Sequence, residues 1–177
     1  MGNLFRRRLR VNNLWIADIP GQKRNHGVAL VPSVGRGFIS DGNDASVVVF
    51  DLKTYQVLGK LKAEDDADGI IYDAASNKVL LVCGDAGVLI PISPDLDPVS
   101  GAAGSSIKLG GKPEFLTTDG RGRAYINLVD KNQVAVVDLK TAAVVAHWST
   151  APGGSRSACR STANIAGCSL VAAIQRR

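Results

Sequence analysis

The chain repeats itself at long range, and this limits its fold more than any other feature does. Residues 33–61, SVGRGFISDGNDASVVVFDLKTYQVLGKL, return at 120–148 as GRGRAYINLVDKNQVAVVDLKTAAVVAHW, displaced by 87 positions without a gap. Gly35-Arg36 falls on Gly122-Arg123, Ile39 on Ile126, and Asp51-Leu52-Lys53-Thr54 on Asp138-Leu139-Lys140-Thr141. A degenerate third copy, SNKVLLVCGDAGVLIPI from Ser76, lies between them, so the unit is about 43 residues long. Each unit reads as short Val/Ile-rich strands divided by Gly-, Asn- and Asp-containing turns, with no sustained helical period. Four strands per unit at this spacing mark the blades of a β-propeller. The expected fold is therefore all-β: a partial β-propeller of about three four-stranded blades, arranged as an open arc.

The units divide the chain into a basic leader over 1–24, expected to lack order, blades at about 26–66, 67–111 and 112–153, and a tail over 156–177. Val47-Val48-Val49-Phe50 is a run buried on both faces. The recurrent Asp-Leu-Lys-Thr is scaffold chemistry, a polar turn whose Asp and Thr oxygens cap its own amides. Its recurrence at the same repeat position argues against a catalytic Asp51 or Asp138. Pro91 places its strand at an edge or a bulge. The Pro/Gly/Ser-rich stretch 94–106 takes the place of the Asp-Leu-Lys-Thr turn and is expected to form a long, mobile outer hairpin.

The formal charge of +5 is carried by the ends. Six basic residues against Asp18 give +5 over 1–24, four arginines give +4 over 156–177, and the repeats between carry −4. A basic face on the folded body, the footprint of a nucleic-acid binder, is not expected. The leader holds Arg6, Arg7, Arg8 and Arg10 but no apolar run of the length a signal peptide or a membrane span requires. Cys83 lies in an apolar strand and reads as a small core residue. Cys159 and Cys168 form no zinc-ligand spacing with histidines, so no metal site is expected.

The tail departs from the repeat. After 150–155 a fourth unit should open with an apolar strand, whereas the chain reads RSACRSTANIAGCSLVAAIQRR. A codon string for this tail, with one C added after Ser155, encodes PVGLSIDREHRRLFIGCRNPAP. That string has the apolar opening, polar turn and second strand of a blade. Residues 156–177 are accordingly expected to be the product of a one-base frameshift, and the chain a fragment.

The segments HGVALVP, GRGFISDG, VVVFDLKTYQVLGKL, DADGIIYD, LGGKPEF and VVDLKTAAVVAHW together resemble the YVTN-repeat (YncE-like) β-propeller family over about 16–155. The namesake strand and turn appear only as Phe38-Ile39-Ser40-Asp41 and Tyr125-Ile126-Asn127. The resemblance implies a seven-bladed ring, exported to the periplasm or cell surface, without an assigned reaction, binding a protein partner or small ligand. The wider superfamily includes quinoprotein dehydrogenases and haem nitrite reductases, but none of their cofactor ligands is present, and no cofactor is expected. An open arc would also leave unpaired blade faces that favour self-association.

Candidate ligand residues follow from position. His26, Asp66, Asp68, Lys112 and Glu114 all flank the first strand of a blade, where a propeller opens its channel mouth. No catalytic residue is assigned: no nucleophile elbow occurs, and Gly110-Gly111-Lys112 lacks the helix and hydroxyl residue of a phosphate loop. Two other functions stay open, a propeller hydrolase or lactonase acting through metal-bound carboxylates and a nucleic-acid-binding propeller.

Overall fold

The structure, a computed structural model, describes residues 9–11, 14–16, 18–99 and 101–150. The tail expected to be frameshifted lies outside the described residues. The leading strands β1 (Leu9–Val11) and β2 (Leu14–Ile16) form a two-stranded antiparallel sheet within the stretch read as a leader. The first blade is β3 (Asn25–Val31), β4 (Arg36–Asp41), β5 (Ser46–Asp51) and β6 (Val57–Lys62). The second is β7 (Ala67–Asp73), β8 (Lys78–Cys83), β9 (Val88–Ile92) and the two-residue β10 (Ile107–Lys108). The third is β11 (Pro113–Thr118), β12 (Arg123–Leu128), β13 (Gln133–Asp138) and β14 (Ala143–Ser149). Each blade is a four-stranded antiparallel meander in sequence order, so the fold is a partial β-propeller arc. Two single-turn 3₁₀ helices are the helical structure among the described residues, and none is long and apolar enough to cross a membrane.

Alternation along the middle strands gives each blade two apolar faces, and the blades stack face to face. Phe38, Val47 and Val49 of the first blade bury against Leu81, Ile90 and Ile92 of the second. Leu80, Val82 and Leu89, on the second blade's opposite face, bury against Ile126, Ala135 and Val137 of the third. Phe38, Leu80 and Tyr125 occupy one repeat position, and Ile39, Leu81 and Ile126 the next. The forward face of one blade thus always meets the rear face of its successor. The same periodicity extends to the backbone: Ala45, Gly87 and Asn132 close the second hairpin of each blade with φ of 45°, 69° and 50°. Two of the three accept a left-handed conformation despite a Cβ, a local cost of about 1–2 kcal/mol that the surrounding ladder must offset.

The Asp-Leu-Lys-Thr turns behave as their chemistry requires. Asp51 Oδ1 accepts hydrogen bonds from the Lys53 amide (2.9 Å), the Thr54 amide (2.6 Å) and the Thr54 hydroxyl (2.8 Å). Asp138 Oδ1 does the same for the Lys140 amide, the Thr141 amide and the Thr141 hydroxyl. Amide donation from Thr54 and from Thr141 leads the effects that hold these two carboxyls below the usual range.

The stretch 94–106 is anchored, not loose, and this corrects the sequence expectation. Arg36 Nη1 reaches from the first blade to donate to the carbonyls of Pro94 (2.9 Å) and Leu96 (2.8 Å). The Ala103 amide donates to the Lys62 carbonyl at 3.0 Å, and the Ala103 side chain is buried. The insertion straps the outer strand of one blade to the next. Pro91 pairs with Leu80 on β8, while β10 pairs only as far as Leu89. Proline's missing N–H therefore falls where the ladder has no outer neighbour.

Candidate functional site

The first strands of the three blades share an irregularity that the sequence reading did not detect. In β3 the register slips so that His26 and Gly27 stand opposite Ser40 alone. In β7 Asp68 and Gly69 stand opposite Val82, and in β11 Glu114 and Phe115 stand opposite Asn127. Each is a β-bulge, which releases a residue from the ladder, bends the strand and re-aims a side chain. His26, Asp68 and Glu114 are therefore equivalent positions on neighbouring blades. The first strands lie side by side, β3 on β7 and β7 on β11, on the side where a propeller has its central channel.

Contacts run along this row. His26 Nδ1 lies 3.1 Å from Asp68 Oδ1, joining the first blade to the second, with the ring and carboxylate 22% and 20% exposed. Burial is the main influence on Asp68 and raises its carboxyl above the usual carboxylate range. His26 and Arg24 oppose that shift, while Asp66 and Glu114 reinforce it. Asp68 thus senses charges from all three blades.

A second row precedes the first by two residues. The carbonyls of Arg24, Asp66 and Lys112 accept from the amides of Gly42, Gly84 and Val129 at 2.9, 2.8 and 2.9 Å. Gly42 and Gly84 keep the floor of the site open. A Cβ on Gly84 would lie 2.5 Å from Asp66 Oδ2, and one on Gly42 would lie 3.1 Å from His26 Nε2 and 3.3 Å from Asp66 Oδ1. Lys112 turns aside: its Nζ pairs with Asp85 at 2.8 Å, both side chains being well exposed, and its amide donates to Asp130. The hydrogen bond with Asp85 raises the Lys112 ammonium and lowers the Asp85 carboxyl.

The five sequence candidates therefore fall into two rows of one strand edge, with His26, Asp66, Asp68 and Glu114 linked by contact or charge and Lys112 tied to its own loop. Arg24 was missed, although it sits 42 positions before Asp66, at the spacing that separates His26 from Asp68. Among the described residues, no three His, Cys, Asp or Glu side chains are grouped so as to hold a metal ion.

No family model and no curated protein matches the chain, so the YVTN-repeat resemblance rests on its sequence motifs. Solved structures do match. Kuenenia stuttgartiensis hydrazine synthase is 18% identical with a TM-score of 0.59, over 68% of this chain and 36% of that one. Dihydro-heme d1 dehydrogenase NirN, solved in complex with DHE, is 10% identical with a TM-score of 0.65, over 77% and 30%. A functionally unknown protein from Desulfotomaculum acetoxidans DSM 771 is 15% identical with a TM-score of 0.63, over 76% and 46%. The chain spans less than half the length of each. At these identities the likeness shows the fold, that of a β-propeller-like protein.

Proposed function

We propose that the chain is an arc of a non-enzymatic, YVTN-type β-propeller of seven blades, working in the periplasm or outside the cell. It receives a charged ligand, or a charged segment of a protein partner, at the channel mouth. Arg24, His26, Asp66, Asp68 and Glu114 make the contacts, and Lys112 stands at the rim. The observation that carries this reading is the bulge repeated in all three first strands, which takes three different polar side chains out of their ladders at one level of the arc. Structural burial alone does not call for a histidine and two carboxylates there. Metal-assisted hydrolysis gains no support from the grouping of the described carboxylates.

The test is amide chemical-shift mapping of the full chain against acetate, phosphate, guanidinium and a short diamine. Shifts confined to 24–26, 66–68 and 112–114, and lost in the variant His26→Ala/Asp68→Asn/Glu114→Gln, are expected with at least one probe. Shifts elsewhere, or retained in that variant, reject the site. Residues 156–177 are read as frame-shifted and without function. Resequencing the gene around codon 155 tests this, since an additional base restores the repeat and an unchanged sequence rejects the reading.

A further inference from the structure

The histidine of the channel-mouth row is held by its neighbour, and that decides what its outer nitrogen can do. His26 Nδ1 lies 3.1 Å from Asp68 Oδ1, so in the neutral imidazole the proton sits on Nδ1 and faces the carboxylate. Nε2 is then a bare lone pair, an acceptor. Its surroundings are read from Gly42, the residue after β4. A Cβ placed on Gly42 would lie 3.1 Å from His26 Nε2 and 3.3 Å from Asp66 Oδ1. The other carboxylate oxygen of Asp66 lies 2.5 Å from the corresponding point on Gly84, the residue after β8. Two acceptors, one neutral and one anionic, thus converge from neighbouring blades over a floor with no side chain of its own. Asp66 holds its place with a left-handed backbone, φ 58°, which a residue with a Cβ adopts at a cost.

Among the described residues, none donates a hydrogen bond to His26 Nε2 or to the half-buried carboxylate of Asp66. The nearest basic side chains are otherwise placed. Lys112 is paired with Asp85 at 2.8 Å, and Arg24 acts on Asp68 more weakly than His26, Asp66 or Glu114 does. An anion entering here would meet a lone pair and a carboxylate, both repulsive to it. A carboxylate beside a bare imidazole nitrogen instead matches a group that brings positive charge and more than one N–H.

We propose that the ligand of the mouth is an organic cation with at least two N–H donors, a guanidinium or a primary ammonium, which donates to His26 Nε2 and to Asp66 above Gly42. The proposal rests on the channel-mouth reading and narrows its charged ligand to one sign and one donor pattern. Asp68 contributes by fixing the imidazole proton. The net negative charge of the repeats favours the approach of such a cation.

The test titrates methylguanidinium and methylammonium into the full chain at constant ionic strength. Tetramethylammonium, which has the charge but no N–H, and acetate serve as comparisons. NMR follows the amides of Gly42 and Gly84 and the ring nitrogens of His26. In the free chain Nε2 is expected to be the unprotonated nitrogen. Methylguanidinium is expected to shift all these signals and to bind about tenfold more tightly than tetramethylammonium, as one charge-assisted hydrogen bond confers. Gly42→Ala keeps every acceptor but sets a methyl between them, and is expected to erase the difference between the two cations. Acetyl-arginine methylamide separates the sources: tighter binding than methylguanidinium assigns the group to a protein side chain, equal binding to a free small cation, and either upholds the class. Equal affinity for tetramethylammonium, or a protonated Nε2 in the free chain, overturns the proposal. So does acetate that moves Gly42 and Gly84 while the cations do not, a result that leaves the channel-mouth reading standing. If no probe moves any residue of the mouth, that reading falls and the proposal with it.

Discussion

Arg36 and Arg123 occupy the same repeat position, and only one of them has a strap to hold. Arg36 donates two charge-assisted hydrogen bonds, at 2.9 and 2.8 Å, to Pro94 and Leu96 of the next blade. The Arg123 guanidinium makes no hydrogen bond to another described residue. Hydrogen bonds from a charged group contribute about 1.5–3 kcal/mol each. Pro94 is buried and Leu96 half-buried, so water restores only part of what the freed carbonyls lose in Arg36→Ala, and the combined loss is about 3 kcal/mol, the low end of the sum. At an m-value of about 2 kcal/mol/M the urea midpoint falls by about 1.5 M. Exchange across 94–106 should rise at the same time, because the strap opens before the blades separate. Arg123→Ala is expected to cost less than about 0.5 kcal/mol, as an exposed substitution does. Equal losses for the two variants, or an Arg36→Ala chain whose 94–106 amides stay protected, would refute the strap.

Gly59→Ala should act on the same strap from below. Its Cβ collides with the Pro98 carbonyl, a backbone atom that cannot rotate aside, so a loss of about 1–3 kcal/mol is expected in thermal or chemical melts. Cys83 is fully buried, and burial pushes its thiol up to about 12. It is expected to resist iodoacetamide at pH 8 in the folded chain and to react only above the unfolding midpoint, as mass spectrometry would show. Carboxyl NMR should place Asp68 above the usual range, with Glu114→Gln moving it down and His26→Phe moving it up. A raised folded value means that this carboxyl's contribution to stability is fully present below its unfolded pKa and is lost as pH rises through the folded value. Asp51 and Asp138 have lowered values and the opposite sign. Their contribution is present above the unfolded pKa and is lost as pH falls, so Asp138→Asn should flatten the acid limb of a pH–stability profile.

Periodicity made the blades legible. The middle strands Ser46–Asp51, Lys78–Cys83 and Gln133–Asp138 are continuous apolar runs closed by polar turns, and local pattern is sufficient for them. The position of His26, Asp66, Asp68, Lys112 and Glu114 at the first strands was equally readable, since repeat position dictates it. The bulges were not. A two-against-one register is a relation between strands, and no single-strand pattern at His26-Gly27 or Glu114-Phe115 announces it. The anchoring of 94–106 was hidden for a similar reason, because its partner, Arg36, lies 58 and 60 residues away from the two carbonyls it holds. Composition marked that stretch as mobile, and a long-range contact overrode composition.

A bulged residue has no fixed partner in its ladder, so its side chain can differ from blade to blade without a change in the strands behind it. An imidazole, a short carboxylate and a longer carboxylate stand at 26, 68 and 114, while the strands behind them keep one pattern of apolar residues. Exchanging any one of these side chains leaves the apolar frame in place but changes the charge its neighbours meet, as the 3.1 Å contact of His26 with Asp68 requires. The charge of this row can therefore change while the apolar frame is held constant.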